Sequence, residues 1–284
     1  MRSKMTLSEY TELASREVVK ANELVTRTKF TLTATQQKII LYLISLINPD
    51  DDMLMERTIS VADFCRACGI EYGGATYDLI WEQLDRLRKA EITYNGSTRI
   101  PLENGKETSL SWILKGSMTP RTGEMSVILD PDLVPFLLHL REQFLHYELL
   151  WVLAFKSKFS IRLYEYCLAR HYNRLEPYSF TIGLDELRER MGATAQSYAK
   201  FRNFRQRCLL PAVEEINETS DITIDAQPIM EKNRVKALRI SIATKPIDEQ
   251  LAQRVKLEKR IYPDQEEPDP NQISFDDLAR GAEL

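Results

Sequence analysis

The chain has 284 residues, 43% of them hydrophobic and 28% charged, with a formal net charge of −4. That length accommodates one large domain or two ordinary ones with sizeable cores. No apolar run nears the ~20 residues of a membrane span, and MRSKMTLSEY has no apolar signal core, so nothing points to export. Four scattered cysteines, Cys65, Cys68, Cys167 and Cys208, form no disulfide framework and fit a reducing cytoplasm.

The net charge hides an asymmetry. Residues 1–149 hold 17 Lys+Arg against 21 Asp+Glu, residues 150–245 hold 16 against 11, and residues 246–284 hold 5 against 10. The middle segment is therefore basic and the tail acidic, and a local basic surface steers a protein toward phosphate whatever its total charge.

Residues 1–30 read as an N-terminal arm, with a short helix over Leu7–Val19 and then a polar joint. Thr33-Ala34-Thr35-Gln36 is a capping-box pattern. The amphipathic helix that follows carries Ile39, Ile40, Leu43 and Ile47 at helical spacing and stops at Asn48-Pro49-Asp50. A short strand (Arg57–Val61), a short helix (Ala62–Cys68) closed by Gly69, and a longer helix (Thr76–Lys89) come next. That longer helix sets Leu79, Ile80, Leu84 and Leu87 on one side and Tyr77, Asp78, Glu82, Asp85 and Arg86 outward. Strand-like segments Glu91–Tyr94, Ser109–Lys115 and Met125–Leu129 are punctuated by Asn95-Gly96 and Arg121-Thr122-Gly123. This is the order of a winged helix, a helix-turn-helix backed by a β-ribbon, over residues 31–149.

A helix from Asp130-Pro131 through Leu140 and a hydrophobic joint at Leu149–Phe155 lead into a second copy of that order over residues 150–245. Its elements are a helix (Ser157–Tyr172), a strand (Tyr178–Ile182), a short helix (Leu184–Met191) closed by Gly192, a long helix (Tyr198–Ile216), and strands Ile222–Ile229 and Ala237–Ile242 joined by Glu231-Lys232-Asn233-Arg234. The expected fold class is α+β, two tandem winged-helix domains. Residues 246–284 read as a helix over part of 246–260 followed by an acidic, partly disordered tail.

The long helix of the second domain carries the chemistry. On a helical projection Phe201, Phe204, Cys208, Leu209, Ala212, Val213 and Ile216 share one arc. Lys200, Asn203, Gln206 and Arg207 share the opposite one, with Arg202 at its flank. Arg and Lys reach guanine O6 and N7, and Asn and Gln pair bidentately with adenine, so this donor set suits a major groove. Arg205 projects beside the apolar arc, where it suits a carboxylate or a phosphate better than a base edge. Pro211 bends the helix or ends its regular hydrogen bonding. Lys232, Arg234 and Lys236 at the hairpin suit a wing that grips phosphate. The bland alternative, a solvated basic face on a core helix, stays open on the pattern alone. In the first domain the acids of Thr76–Lys89 favour backbone or protein contact over base reading.

No Gly-x-x-x-x-Gly-Lys loop is present, and His139, His146 and His171 form no His-x-His pair for metal-dependent nicking. Cys65-Arg66-Ala67-Cys68 lacks a second pair and reads as buried small residues on a helix rather than a zinc site. The expectation is a non-enzyme with no metal and no cofactor.

Phe155-Lys-Ser-Lys-Phe-Ser-Ile-Arg-Leu-Tyr-Glu165 resembles a signature of the theta-type plasmid replication initiators. So does Tyr198–Asp221, with Phe201, Phe204, Arg207, Leu210-Pro211-Ala212, Glu215-Ile216-Asn217 and Asp221, and so does the opening Val19-Lys-Ala-Asn-Glu-Leu24. Together the motifs span about residues 18 to 243. The resemblance implies two winged-helix domains that bind double-stranded DNA at directly repeated origin sites, called iterons. It implies monomers that initiate, dimers joined through the first domain that repress the protein's own gene, and recruitment of a host initiator and helicase. It assigns the recognition role to Lys200, Arg202, Asn203, Gln206 and Arg207. A winged-helix repressor without initiator role and a DNA-nicking replication enzyme are the alternatives; the acidic tail lies outside the shared pattern.

Overall fold

In the computed structural model the described residues are 12–94, 108–119, 122–171 and 177–261. The first domain opens with β1 (Glu17–Ala21), α1 (Glu23–Thr26) and β2 (Thr28–Lys29), followed by α2 (Ala34–Ile44). Thr33 accepts from the Gln36 amide while the Gln36 side chain takes the Thr33 N–H, so the capping box forms as the sequence predicts. Then come β3 (Arg57–Ser60), α3 (Val61–Ala67), α4 (Gly74–Arg88), β4 (Glu91–Tyr94), β5 (Thr108–Ser111), β6 (Ile113–Thr119) and β7 (Glu124–Leu129). A 3₁₀ turn (Pro131–Leu133), α5 (Val134–Leu137), β8 (Phe144–Glu148) and α6 (Leu149–Ala154) complete it.

The second domain comprises α7 (Lys158–His171), β9 (Tyr178–Gly183), α8 (Leu184–Arg190), a 3₁₀ turn (Gln196–Tyr198), α9 (Phe201–Phe204), a π turn (Arg205–Leu209) and α10 (Leu210–Thr219). The hairpin β10 (Ile222–Glu231) and β11 (Arg234–Thr244) follows, and α11 (Ile247–Ile261) leaves it. The two domains share one topology. In each, a hairpin pairs through its second strand with the strand before the helix-turn-helix, giving sheets ordered β3-β7-β6 and β10-β11-β9. In each, the first helix of the pair ends in a Schellman motif on a left-handed glycine: Gly69 (φ 67) donates to Arg66 O and Ile70 to Cys65 O, and Gly192 (φ 67) to Glu189 O and Ala193 to Arg188 O. A Cβ at Gly192 would also stand 3.1 Å from Phe30 O, so that turn admits glycine on two counts.

Several local readings change. Within Leu7–Val19 the segment from Glu17 is strand rather than helix, because β1 pairs antiparallel with β8, a strand the sequence pattern does not reveal. Residues 17–29, read as part of an arm, are woven into the core, with Val18, Ala21, Leu24 and Val25 buried. The helix expected through Leu140 ends at Leu137. The single strand expected over Ser109–Lys115 is two, divided between sheets, and Glu91–Tyr94 pairs with β2 and β5 rather than joining the wing. Leu79 is 45% exposed, its place in the buried stripe of α4 taken by Gln83. The expected Asn95-Gly96 turn and the part of the tail expected to be disordered lie outside the described residues.

A continuous set of buried side chains runs through both domains. Where they meet, that core also encloses charges. Glu165 of α7 receives Lys20 Nζ of β1 at 2.5 Å and the Tyr147 hydroxyl of β8, with Lys20 and Glu165 both buried. Arg162 donates Nε–H to Arg190 O at 2.7 Å and lays its guanidinium 3.9 Å from the centroid of the Phe30 ring. Arg190 in turn donates to Thr28 O at 3.2 Å. α7 is buried on every side from Phe159 to Cys167, so its Arg162 and Glu165 depend on these partners inside the core. The helix α11 returns to the first domain, where Arg254 bonds Glu148 at 2.9 Å and Ala14 O, and Leu257 and Ile261 are buried. Asp248 and Glu249 lie in its first turn and Lys259 and Arg260 in its last, as the helix dipole favours. No helix among the described residues is long and apolar enough to cross a membrane.

Candidate nucleic-acid interface

The second helix of the second domain's helix-turn-helix is a composite of α9, the π turn and α10. It begins later than the sequence pattern predicts. Tyr198 closes a 3₁₀ turn, and Lys200 is the N-cap, in extended conformation at φ −76, ψ 127. The approach is fixed from below. Arg188 of α8 donates to Ala199 O at 2.6 Å, pairs with Asp185 at 2.8 Å, and lies 5.6 Å from the centroid of the buried Phe204 ring. Tyr198 meets Phe159 edge to face. The side-chain amide of Asn203 donates to Ser197 O at 3.0 Å, so one of its N–H groups is committed to the turn.

The far end of the composite helix is held as firmly, by the motif residues that carry the family resemblance. Glu215 accepts the backbone N–H groups of Lys156 (2.7 Å) and Ser157 (3.2 Å), which seats the entry to α7. Asn217 donates to Ile224 O and accepts from Ile224 N, tying the helix to β10. The Tyr164 hydroxyl donates to Asp221 at 2.7 Å, and burial holds the Asp221 carboxyl above its ordinary range. Lys245, lowered by burial, donates to Asn217 O and Ser220 O. These residues orient the helix; none faces out to read DNA.

What remains outward is cationic. Lys200, Arg202, Arg205, Gln206 and Arg207 are exposed, and Asn203 is half-buried. None of the four arginine and lysine side chains makes a hydrogen bond or ion pair with a described residue. Arg205, which the helical projection sets beside the apolar arc, is exposed instead. Cys208 lies buried under this face, its thiol pushed up to about 11 chiefly by burial.

The wing turns more tightly than the sequence suggests. Glu231 and Arg234 are paired in the ladder, and the turn is Lys232-Asn233 alone, with φ 45 and 64. Two positive φ values define a type I′ hairpin turn, natural for Asn and strained for Lys. Lys232 and Arg234 are exposed and unpaired among the described residues, whereas Lys236 meets Glu231 at 2.8 Å across the exposed tip.

The corresponding helix of the first domain, α4, has a different surface. Arg86 pairs with Glu82, and Arg88 and Lys89 both pair with Asp85, while Leu79 and Trp81 are exposed. Cys65 and Cys68 are buried, with thiols pushed up to about 11 and about 12 by desolvation. Among the described residues no three His, Cys, Asp or Glu side chains gather as a metal site.

Comparison with known proteins fits this geometry. Residues 17–168 match the family described as "Initiator Replication protein, WH1", and residues 183–242 match "Initiator Rep protein, WH2". A curated Escherichia coli protein named "Replication initiation protein" is 26% identical over 212 residues, 73% of this chain and 64% of that protein, so the chain spans just under two thirds of that relative. The solved structure of the Pi initiator protein in complex with iteron DNA superposes with a TM-score of 0.67 at 19% identity, covering 82% of this chain and 98% of that one.

Proposed function

Since the chain belongs to the initiator replication protein family, with its two winged-helix domains, we propose that it starts plasmid replication by binding directly repeated duplex sites at an origin. The observation that carries this reading is the unpaired cationic face of Arg202, Arg205, Gln206 and Arg207. It lies on the second helix of a helix-turn-helix, beside a wing whose Lys232 and Arg234 are also unpaired. Such a helix enters the major groove with its N-terminal half toward the bases while the wing holds phosphate. Arg202, Gln206 and Arg207 are assigned to base edges, with Lys200 at the N-cap and Asn203 by its remaining amide valences. Lys232, Arg234 and Lys236 are assigned to the backbone, Lys236 after release from Glu231.

The protein acts by binding rather than by cutting, in the bacterial cytoplasm where plasmids reside. Recruitment of a host initiator and helicase supplies the strand-opening motor, and a homodimer formed through the first domain, in equilibrium with the initiating monomer, represses the protein's own gene. Footprinting on the DNA flanking that gene tests the reading. Evenly spaced direct repeats are expected, together with replication of a minimal origin only when the protein is supplied. A single inverted site and no origin dependence would leave a repressor, and cleavage of supercoiled origin DNA with a divalent metal would make it a nicking enzyme.

A further inference from the structure

One turn of the composite helix departs from the regular pattern at the face proposed to meet DNA. In an unbroken α-helix Arg205 would share a stripe with Leu209, Ala212 and Ile216, four, seven and eleven residues on, all of them buried. An arginine there would be a buried charge without a partner. Instead the Leu210 N–H closes on Arg205 O, five residues back, so the turn Arg205–Leu209 holds one residue more than usual. The ladder is already open at this point, because Pro211 has no N–H to offer Arg207 O.

The extra residue has two consequences. Phe204, Cys208, Ala212 and Ile216, all fully buried, follow a strict four-residue spacing that would drift by about 40° at each step in a regular helix; the wider turn absorbs part of that drift and keeps them in line. Between Phe204 and Cys208 three consecutive side chains, Arg205, Gln206 and Arg207, are exposed. Three successive residues, at about 100° per step, fan over slightly more than half of a helix circumference. Gln206 is therefore central, with Arg202 one turn before it. Asn203 and Arg207, four apart, share one flank, and Arg205 takes the other. A helix seated in a major groove about 12 Å wide has base edges ahead and a phosphate strand on either side.

We propose that the π turn serves to bring Arg205 out of the buried stripe, so that its guanidinium holds the phosphate strand on the flank away from Asn203 and Arg207. The inference rests on the groove-binding reading above. It makes Arg205 a positioning contact that fixes how deeply and in what register the helix sits, without itself selecting a base. π turns within α-helices are often found at functional sites, as a strained device kept for what it positions.

The test titrates the full chain against two duplexes of equal length, one carrying the sequence footprinted beside its own gene and one with that sequence scrambled. Arg205→Ala is expected to weaken both by a similar factor, about three- to tenfold, and to make the salt dependence shallower by about one unit of slope. Arg205→Lys is expected to recover most of the slope. Thermal melting of the variants should match the parent, since Arg205 is exposed and makes no hydrogen bond or ion pair with a described residue. Unchanged affinity and slope in Arg205→Ala would overturn the proposal alone, as would a loss confined to the footprinted duplex, which would make Arg205 a base reader. A parent protein that bound neither duplex would bring down the groove reading and this proposal together.

Discussion

The α4 helix of the first domain and the composite helix of the second occupy the same place in the same topology, yet they present opposite surfaces. On α4 each cation of the last turns is matched by an acid one turn away, Arg86 by Glu82 and Lys89 by Asp85. On the composite helix Arg202, Arg205 and Arg207 form no ion pair with a described residue. Exposed pairs of this kind contribute little to stability, but each occupies a cation that could otherwise displace counterions from DNA. A helix-turn-helix thus sets where a helix stands, and the charge of its outer face decides whether it can grip a polyanion.

The largest expected effect lies at the seam that holds the two surfaces in one molecule. Glu165→Ala leaves Lys20 buried without its partner and removes the acceptor of Tyr147, so a loss of about 3–5 kcal/mol is expected in urea unfolding. A loss under about 1 kcal/mol would show that the domains are welded by apolar contact alone. Next in size is the face proposed to read bases: Arg207→Ala should weaken binding to the footprinted site by about 1–3 kcal/mol while sparing scrambled DNA, and equal losses on both duplexes would reassign it to the backbone. Smaller, and uniform across sequences, is Arg234→Ala, for which a drop of about one in the salt slope is expected; an unaltered slope would remove the wing from the interface. The smallest change sharpens the contrast directly. Glu82→Gln frees Arg86 on α4, and a slight steepening of salt dependence is expected if the first domain lies along the backbone. No change would separate α4 from DNA altogether.

Much of the architecture is legible in the chain because its signals are local. The Thr33 capping box, Gly69 and Gly192 after short helices, and the alternating strands around Lys232-Asn233 each depend on a few neighbouring residues. The β1–β8 pair is not legible, since its two strands lie more than a hundred residues apart and neither alternates clearly. The division of Thr108–Ser111 from Ile113–Thr119 is hidden for the same reason: two adjacent strands choose different partners.

For the interface, the sequence by itself determined the supply of donors and their order along the chain, because side-chain chemistry needs no neighbours. It also settled that the second domain, not the first, carries the unbalanced positive charge. Tertiary structure alone decided which donors are free. Packing put Lys200 at an N-cap, committed part of Asn203 to Ser197, gave Lys236 to Glu231, and turned Arg205 outward through an extra residue in one turn. A helical projection assumes a uniform 100° step, and a core that must bury Phe204 and Cys208 together does not keep to it.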